Sequence, residues 1–299
     1  MSIRFGISHL PSDDVSDEQF LDELVEQGHR ALELPFTHGF PWKEKRCESF
    51  AKLAAERDIR LSVHAPYFVG LTIPEEEKGA QSAYALEHTM KLGKWLGAPV
   101  VVAHLGSTYD EDPAVLMDRV RSRIDFIAPK IESLGVGLGL ETAGKKSAFG
   151  SLGDIAQLAE EYNFVRPVVD WAHIHAMTGG ALTSRDAFTS VLAFVREFFP
   201  GWMVQPLQVQ FSDNQFGDAG EIRHVAYGEG TLRVGPLVED RASAVDTPGH
   251  VQCANEGIGR RDLDVPIPRR GVHRRDPATH DPVTVDSAGR STEEEGNVV

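Results

Sequence analysis

A chain of 299 residues with 41% hydrophobic content is long for an ordinary domain but suits one β/α barrel, which needs roughly 250 residues. Its net charge of −15 argues against casual nucleic-acid binding, because an acidic surface repels the phosphate backbone. No stretch approaches the ~20 apolar residues of a membrane span, the start MSIRFGISHL lacks a signal-peptide pattern, and Cys47 and Cys253 are too few for a disulfide framework, so a cytoplasmic protein with reduced thiols and no membrane partner is expected.

Short apolar runs alternate with longer amphipathic patterns, which predicts βαβ units around a parallel sheet. The first strand is expected at residues 3–7. A helix opens at Ser16, where S-D-E-Q forms a capping box and Phe20, Leu21, Leu24 and Val25 supply an apolar face. A strand at 31–34 precedes a helix over 44–57, and a strand at 61–64 precedes a helix over 79–96. The fourth strand, 100–104, leads to a helix over 113–134. The fifth, 136–141, leads to a helix starting near Ser151. The sixth, 165–170, leads to a helix over 184–199, and the seventh strand is 207–211. Seven such units favour a closed (β/α)8 barrel, with the eighth unit open to question, over a doubly wound sheet. No Gly-rich dinucleotide fingerprint follows the first strand.

The pattern stops near Glu239, so residues 1–239 are read as the barrel domain. From Asp240 to Val299 there is no Phe, Trp, Tyr or Lys, while eight Arg are present. That composition reads as a solvated tail, the end of a diverged or frame-shifted reading frame, rather than a final helix–strand–helix unit.

Several strands end in a metal-capable side chain. The third ends in His64 within S-V-H-A-P-Y, the fourth in His104 within V-V-A-H-L-G-S, and the fifth in Glu141 within L-E-T-A-G. The sixth ends in Asp170, with His173 following in V-V-D-W-A-H, and His224 lies beyond the seventh in R-H-V-A-Y-G-E-G. In a barrel these side chains converge on the carboxyl-end mouth, where active sites are built. Imidazole with carboxylate is a donor set for divalent metal, zinc or alternatively manganese, and a shared carboxylate can bridge two ions. His9, His29, His38, His88, His175, His250, His273 and His280 lack such placement and are read as surface or structural residues.

The series H-A-P-Y, H-L-G-S, L-E-T-A-G, V-D-W-A-H and H-V-A-Y-G-E-G resembles the endonuclease IV family of apurinic/apyrimidinic endonucleases, within the xylose isomerase-like TIM barrel superfamily. The resemblance covers roughly residues 1–239. It implies a β/α barrel holding three zinc ions that cuts the DNA backbone 5′ to an abasic site. By motif, His64 and His104 would hold the first metal with Glu141, the central catalytic residue, which would bridge to a second metal also bound by Asp170. His173 and His224 would hold the third. Tyr67 matches a position that enters the DNA stack and would contact the substrate.

The departures bear on function. Gln210 stands where the family has a metal-binding histidine at the end of strand seven, and Ile222 stands where an acid should precede His224, with Glu221 and Asp213 as substitutes. The glutamate of strand eight is expected near residue 254, where Glu256 and Asp246 are candidates. The first ligand set is thus complete, the third partial and the second damaged. The expected function is a metal-dependent phosphodiester hydrolase acting on damaged DNA. The alternatives are a sugar or sugar-phosphate isomerase or epimerase, and a catalytically impaired metal-binding barrel.

Overall fold

The structure, a computed structural model, describes residues 4–236 and the backbone of residues 250–251. Its main sheet is parallel and sequential, with neighbours in chain order: β1 (Gly6–Ser8), β2 (Ala31–Pro35), β3 (Arg60–His64), β4 (Val100–Ala103), β5 (Gly137–Glu141), β6 (Val165–Asp170), β7 (Gln208–Gln210) and β8 (His250–Val251). Helices α1 (Asp17–Glu26), α2 (Glu44–Glu56), α3 (Glu76–Trp95), α4 (Pro113–Ile131) and α5 (Leu152–Glu161) follow the first five strands in turn. After β6 come α6 (Trp171–Met177) and α7 (Arg185–Phe198).

Local chemistry sets these boundaries. The Ser16–Gln19 capping box starts α1, and the Ser151–Asp154 box starts α5. Asp112 caps α4, with Pro113 in the first turn, where a missing N–H costs nothing. Strands β4 and β5 are buried along their whole length, as strands covered on both faces should be. The core runs between sheet and helices, from Leu32, Leu34 and Val63 through Val101 and Leu138 to Val165 and Val169.

The sheet curls. Gln210 on β7 donates to Glu33 on β2, and Gln208 on β7 donates to Ser62 on β3, contacts that an open sheet could not make between strands so far apart in its order. Among the described residues no pairing closes β1 onto β8.

Several features differ from the expectation. The first strand is Gly6–Ser8, later than 3–7. The short helix α6 begins directly after β6, with Asp170 as its N-cap. An antiparallel hairpin, Asp213–Gly217 with Gly220–Val225, follows β7. An eighth strand, two residues long, lies in the stretch read as tail and pairs with β7 (His250↔Gln208, Val251↔Val209). The rest of that tail, with Asp246, Cys253 and Glu256, lies outside the described residues. Among those described, no helix is long and apolar enough to cross a membrane.

Candidate metal centre

His64 and Glu141 are the last residues of β3 and β5, and His104 follows β4 by one position. Their side chains meet at the carboxyl end of the barrel. Glu141 Oε2 lies 3.3 Å from His64 Nε2, and Glu141 Oε1 lies 3.9 Å from His104 Nδ1 and 3.1 Å from His173 Nδ1. Burial pushes the Glu141 carboxyl up, but His104, His173 and His64 overcome it and hold the group well below the usual range. Burial likewise opposes charge on His64 and His173. The Glu141 carboxylate raises the first to about 9, and Asp170 together with Glu141 raises the second to about 10. Asp170 goes the other way: its burial raises it, and the charge of Glu141 adds to the rise.

His173 sits in the first turn of α6, where its backbone N–H donates to Asp170 Oδ1 at 2.9 Å. The helix therefore folds His173 back over the end of β6. The ring needs room that only glycine provides, since a β-carbon on Gly144, the glycine of L-E-T-A-G, would overlap it. On its far side His173 Nε2 is 3.8 Å from Glu221 Oε2, and His224 Nε2 is 3.5 Å from Glu221 Oε1. The donor atoms fall into three groups, each within 4.8 Å: His64–His104–Glu141, Glu141–Asp170–His173 and His173–Glu221–His224.

The tautomers decide what these groups can hold. His64 Nδ1 is 2.8 Å from Ala65 O, and His173 Nδ1 is 2.8 Å from Thr142 O. A carbonyl only accepts, so in both rings Nδ1 carries the hydrogen and the lone pair of the neutral form is on Nε2, facing a carboxylate. His224 is placed similarly, with Ser212 Oγ, a hydroxyl able to accept from the ring or donate to it, 2.7 Å from Nδ1 and with Nε2 turned to Glu221. Metal-bound histidines are oriented in this way, with the remote N–H tied to an oxygen. Buried His175 is the contrast: Nε2 meets Thr231 Oγ1 and Nδ1 accepts from Leu182 N, so both nitrogens are spent on structure. Glu141 Oε2 is buried and lacks a hydrogen bond aligned on it, its approach to His64 being an ion-pair distance only. The residues therefore fit divalent metal. Because His173 Nδ1 is committed, the middle group offers chiefly the carboxylates of Glu141 and Asp170.

Two candidate acids near His224 came from the sequence, and the geometry separates them. Asp213 is fully buried and accepts from the backbone N–H groups of Gly228, Gly230 and Leu232 and from Arg233. It shapes the Y-G-E-G loop and faces no histidine cluster. Glu221 faces His173 and His224. Two further residues carried no sequence signal strong enough to find them. Glu33 hides within the apolar run A-L-E-L-P, yet is buried against the cavity. Its burial raises its carboxyl to about 7, against the charge of His64 and donors on Ser8 and Gln210. Asn214 donates to Glu221 Oε2 at 2.9 Å and to Ala172 O.

The three donor groups and Glu33 line one cavity of about 580 Å³ that also takes in Tyr67, Lys145 and Arg223. Tyr67, half exposed at the rim, lies nearly parallel to the His104 ring, 6.4 Å away between centroids.

Comparison with known proteins agrees with this architecture. The chain is 28% identical over 253 residues to an uncharacterized protein of Methanocaldococcus jannaschii, covering 83% of this chain and 90% of that protein. It is 27% identical over 175 residues to a probable endonuclease 4 of Natranaerobius thermophilus, covering 54% of this chain and 58% of that protein. Among solved structures, endonuclease IV from Thermus thermophilus superposes with a TM-score of 0.66 at 15% identity, over 87% of this chain and 94% of that one. D-psicose 3-epimerase with D-tagatose from Clostridium cellulolyticum superposes with a TM-score of 0.61 at 13% identity, over 87% and 88%. The sequence profile of the xylose isomerase-like TIM barrel family matches residues 21–239, and the chain belongs to that family.

Proposed function

We propose that the protein is a metal-dependent phosphodiester hydrolase of the endonuclease IV kind, acting at abasic sites in DNA. The observation that carries this reading is the number and division of the donors. One ion takes three or four protein ligands, whereas here His64–His104–Glu141 and His173–Glu221–His224 are two groups that share no residue. Centres with more than one ion suit in-line displacement at phosphorus, where bound metal activates water and stabilises the leaving oxygen.

The chain's own residues then have distinct tasks. Glu141 links the two groups, touching His64 with one oxygen and His173 with the other. Tyr67 presents a flat ring at the rim, suited to stacking on a base beside the gap left by a missing one. Lys145 and Arg223 bring positive charge to the mouth of a cavity that holds Glu33, Glu141, Asp170 and Glu221. The relative named as a probable endonuclease 4 supports the same substrate class.

A second reading, sugar or sugar-phosphate isomerase or epimerase, is favoured by Glu33, a buried carboxyl held near 7 and therefore able to transfer protons at neutral pH. The deciding experiment gives the zinc- or manganese-loaded protein a duplex with a single abasic analogue, an undamaged duplex, and a panel of ketoses and sugar phosphates. Nicking of the abasic duplex alone supports the hydrolase, and sugar turnover without nicking replaces it with the second reading.

A further inference from the structure

We propose that Glu221 is the carboxylate ligand that completes the His173–His224 metal site, and that a β-bulge at Ile222 is what delivers it there. The proposal rests on the metal-dependent reading above. In a regular strand, side chains alternate between faces, so residues three apart point in opposite directions. Glu221 and His224 are three apart and nevertheless converge, with Glu221 Oε1 3.5 Å from His224 Nε2.

The hairpin register explains the convergence. His224 pairs with Asn214, Arg223 with Gln215 and Glu221 with Phe216, so Ile222 is an extra residue without a partner. Asn214 and Phe216 are two apart on the regular strand and share a face, so their partners His224 and Glu221 share it too. The position two before His224, where an acid would face inward in an unbulged strand, is Ile222, and its side chain is 65% exposed.

Further contacts fix the carboxylate. Asn214 Nδ2 donates to Glu221 Oε2, which leaves Oε1 directed at His224. Asn214 is anchored in turn on Ala172 O, in the helix that carries His173. The backbone N–H of Glu221 donates to Gly144 O at 2.7 Å, and Gly220, at φ +98°, packs its backbone on the same carbonyl. The hairpin is thereby clamped to the loop after β5, which gives the His173 ring its space. Asp213, saturated by backbone donors, cannot substitute.

The test is metal stoichiometry and affinity, read without any substrate. Zinc content after dialysis and cobalt(II) titration followed by its visible absorption should show Glu221→Gln holding one ion fewer than the wild type. Glu221→Asp should keep the site with weakened affinity. Thermal unfolding of each variant in excess chelator reports on the fold. The double variant Glu221→Gln, Ile222→Glu moves the acid two places before His224 and should not restore the ion, because the bulge leaves that position without a cross-strand partner and largely exposed at the cavity rim. Wild-type stoichiometry and affinity in folded Glu221→Gln, or full restoration in the double variant, overturns the proposal. His173→Ala and His224→Ala separate the levels. If they lose the ion while Glu221→Gln keeps it, only the role of Glu221 fails, whereas if they too bind like the wild type, the metal reading of this cluster fails with it.

Discussion

Gln210, at the end of β7, donates its side-chain amide to both oxygens of Glu33 on β2, at 3.1 and 3.2 Å. The relationship spans the barrel and occupies the position where the endonuclease IV pattern has an imidazole. An amide turned toward Glu33 has its donor face there, so β7 adds no nitrogen ligand to the carboxylates of Glu141 and Asp170. The middle group accordingly gains no imidazole from β7.

A pH dependence follows from the same pair. Burial raises Glu33 to about 7, above the value of an unfolded carboxyl, so the native state binds the extra proton between the two values. Stability of the metal-free protein should therefore be highest below about 4.5 as far as this group is concerned, and fall as pH rises to about 7. The loss should total about 3 kcal/mol. Glu33→Gln removes the titrating group and should flatten that part of the profile, as read by chemical denaturation at a series of pH values. An unchanged slope would show that Glu33 is not buried as a neutral acid.

Metal binding should release protons. His64 and His173 are held at about 9 and about 10 without metal, so both are charged at neutral pH and must lose a proton to become ligands. Calorimetry in buffers of differing ionisation enthalpy should report about two protons released near pH 7. Affinity should climb with pH until about 9 to 10. The sign for stability is the reverse: the raised values stabilise the metal-free fold fully below about 6.5, and this is lost as pH passes through 9 and 10. Release of no protons would contradict the assigned charge states.

Much of the barrel was legible in the sequence because its strands are short apolar runs and its helices carry broad apolar faces, from Phe20 and Leu21 on α1 to Phe188 and Val195 on α7. The strand-end placement of His64, Glu141 and Asp170 could be read for the same reason. What was not legible depends on local breaks in periodicity. Helix α6 has 7 residues, too short to show a helical period. The hairpin at 213–225 reads as polar, and its bulge at Ile222 disguises which of Asp213 and Glu221 faces His224. Glu33 looked like one polar residue in an apolar strand, and only the curl of the sheet brings Gln210 to it.

Gly144→Ala tests the space under His173. The added methyl overlaps the ring, which must swing away from Thr142 O and from Glu221. The expected result is loss of the ion shared with His224 and at least a tenfold fall in incision, while the His64–His104–Glu141 group still binds and the thermal midpoint moves by only a few degrees. The readout is metal content beside thermal unfolding. Retention of every ion by a folded variant would mean that the ring does not need its observed position.

Salt and the rim residues give the sharpest test of DNA as substrate. Ordinary DNA-binding proteins neutralise 6–10 phosphates and lose roughly 10³–10⁵ in affinity between 50 and 200 mM salt. Here the cavity mouth offers Lys145 and Arg223 on a chain with a net charge of −15. Two phosphate contacts imply only about a tenfold loss over the same range, and Lys145→Ala with Arg223→Ala should remove most of it. Tyr67→Ala should act differently. Stacking on a base contributes about 1–3 kcal/mol, so binding to the abasic duplex should weaken by roughly 5- to 150-fold with the salt slope unchanged, and binding to undamaged duplex should not respond. A steep salt dependence in the unaltered protein would point to a phosphate-binding surface elsewhere. Equal losses on both duplexes in Tyr67→Ala would mean that its ring supports the rim around His104 and does not read the missing base.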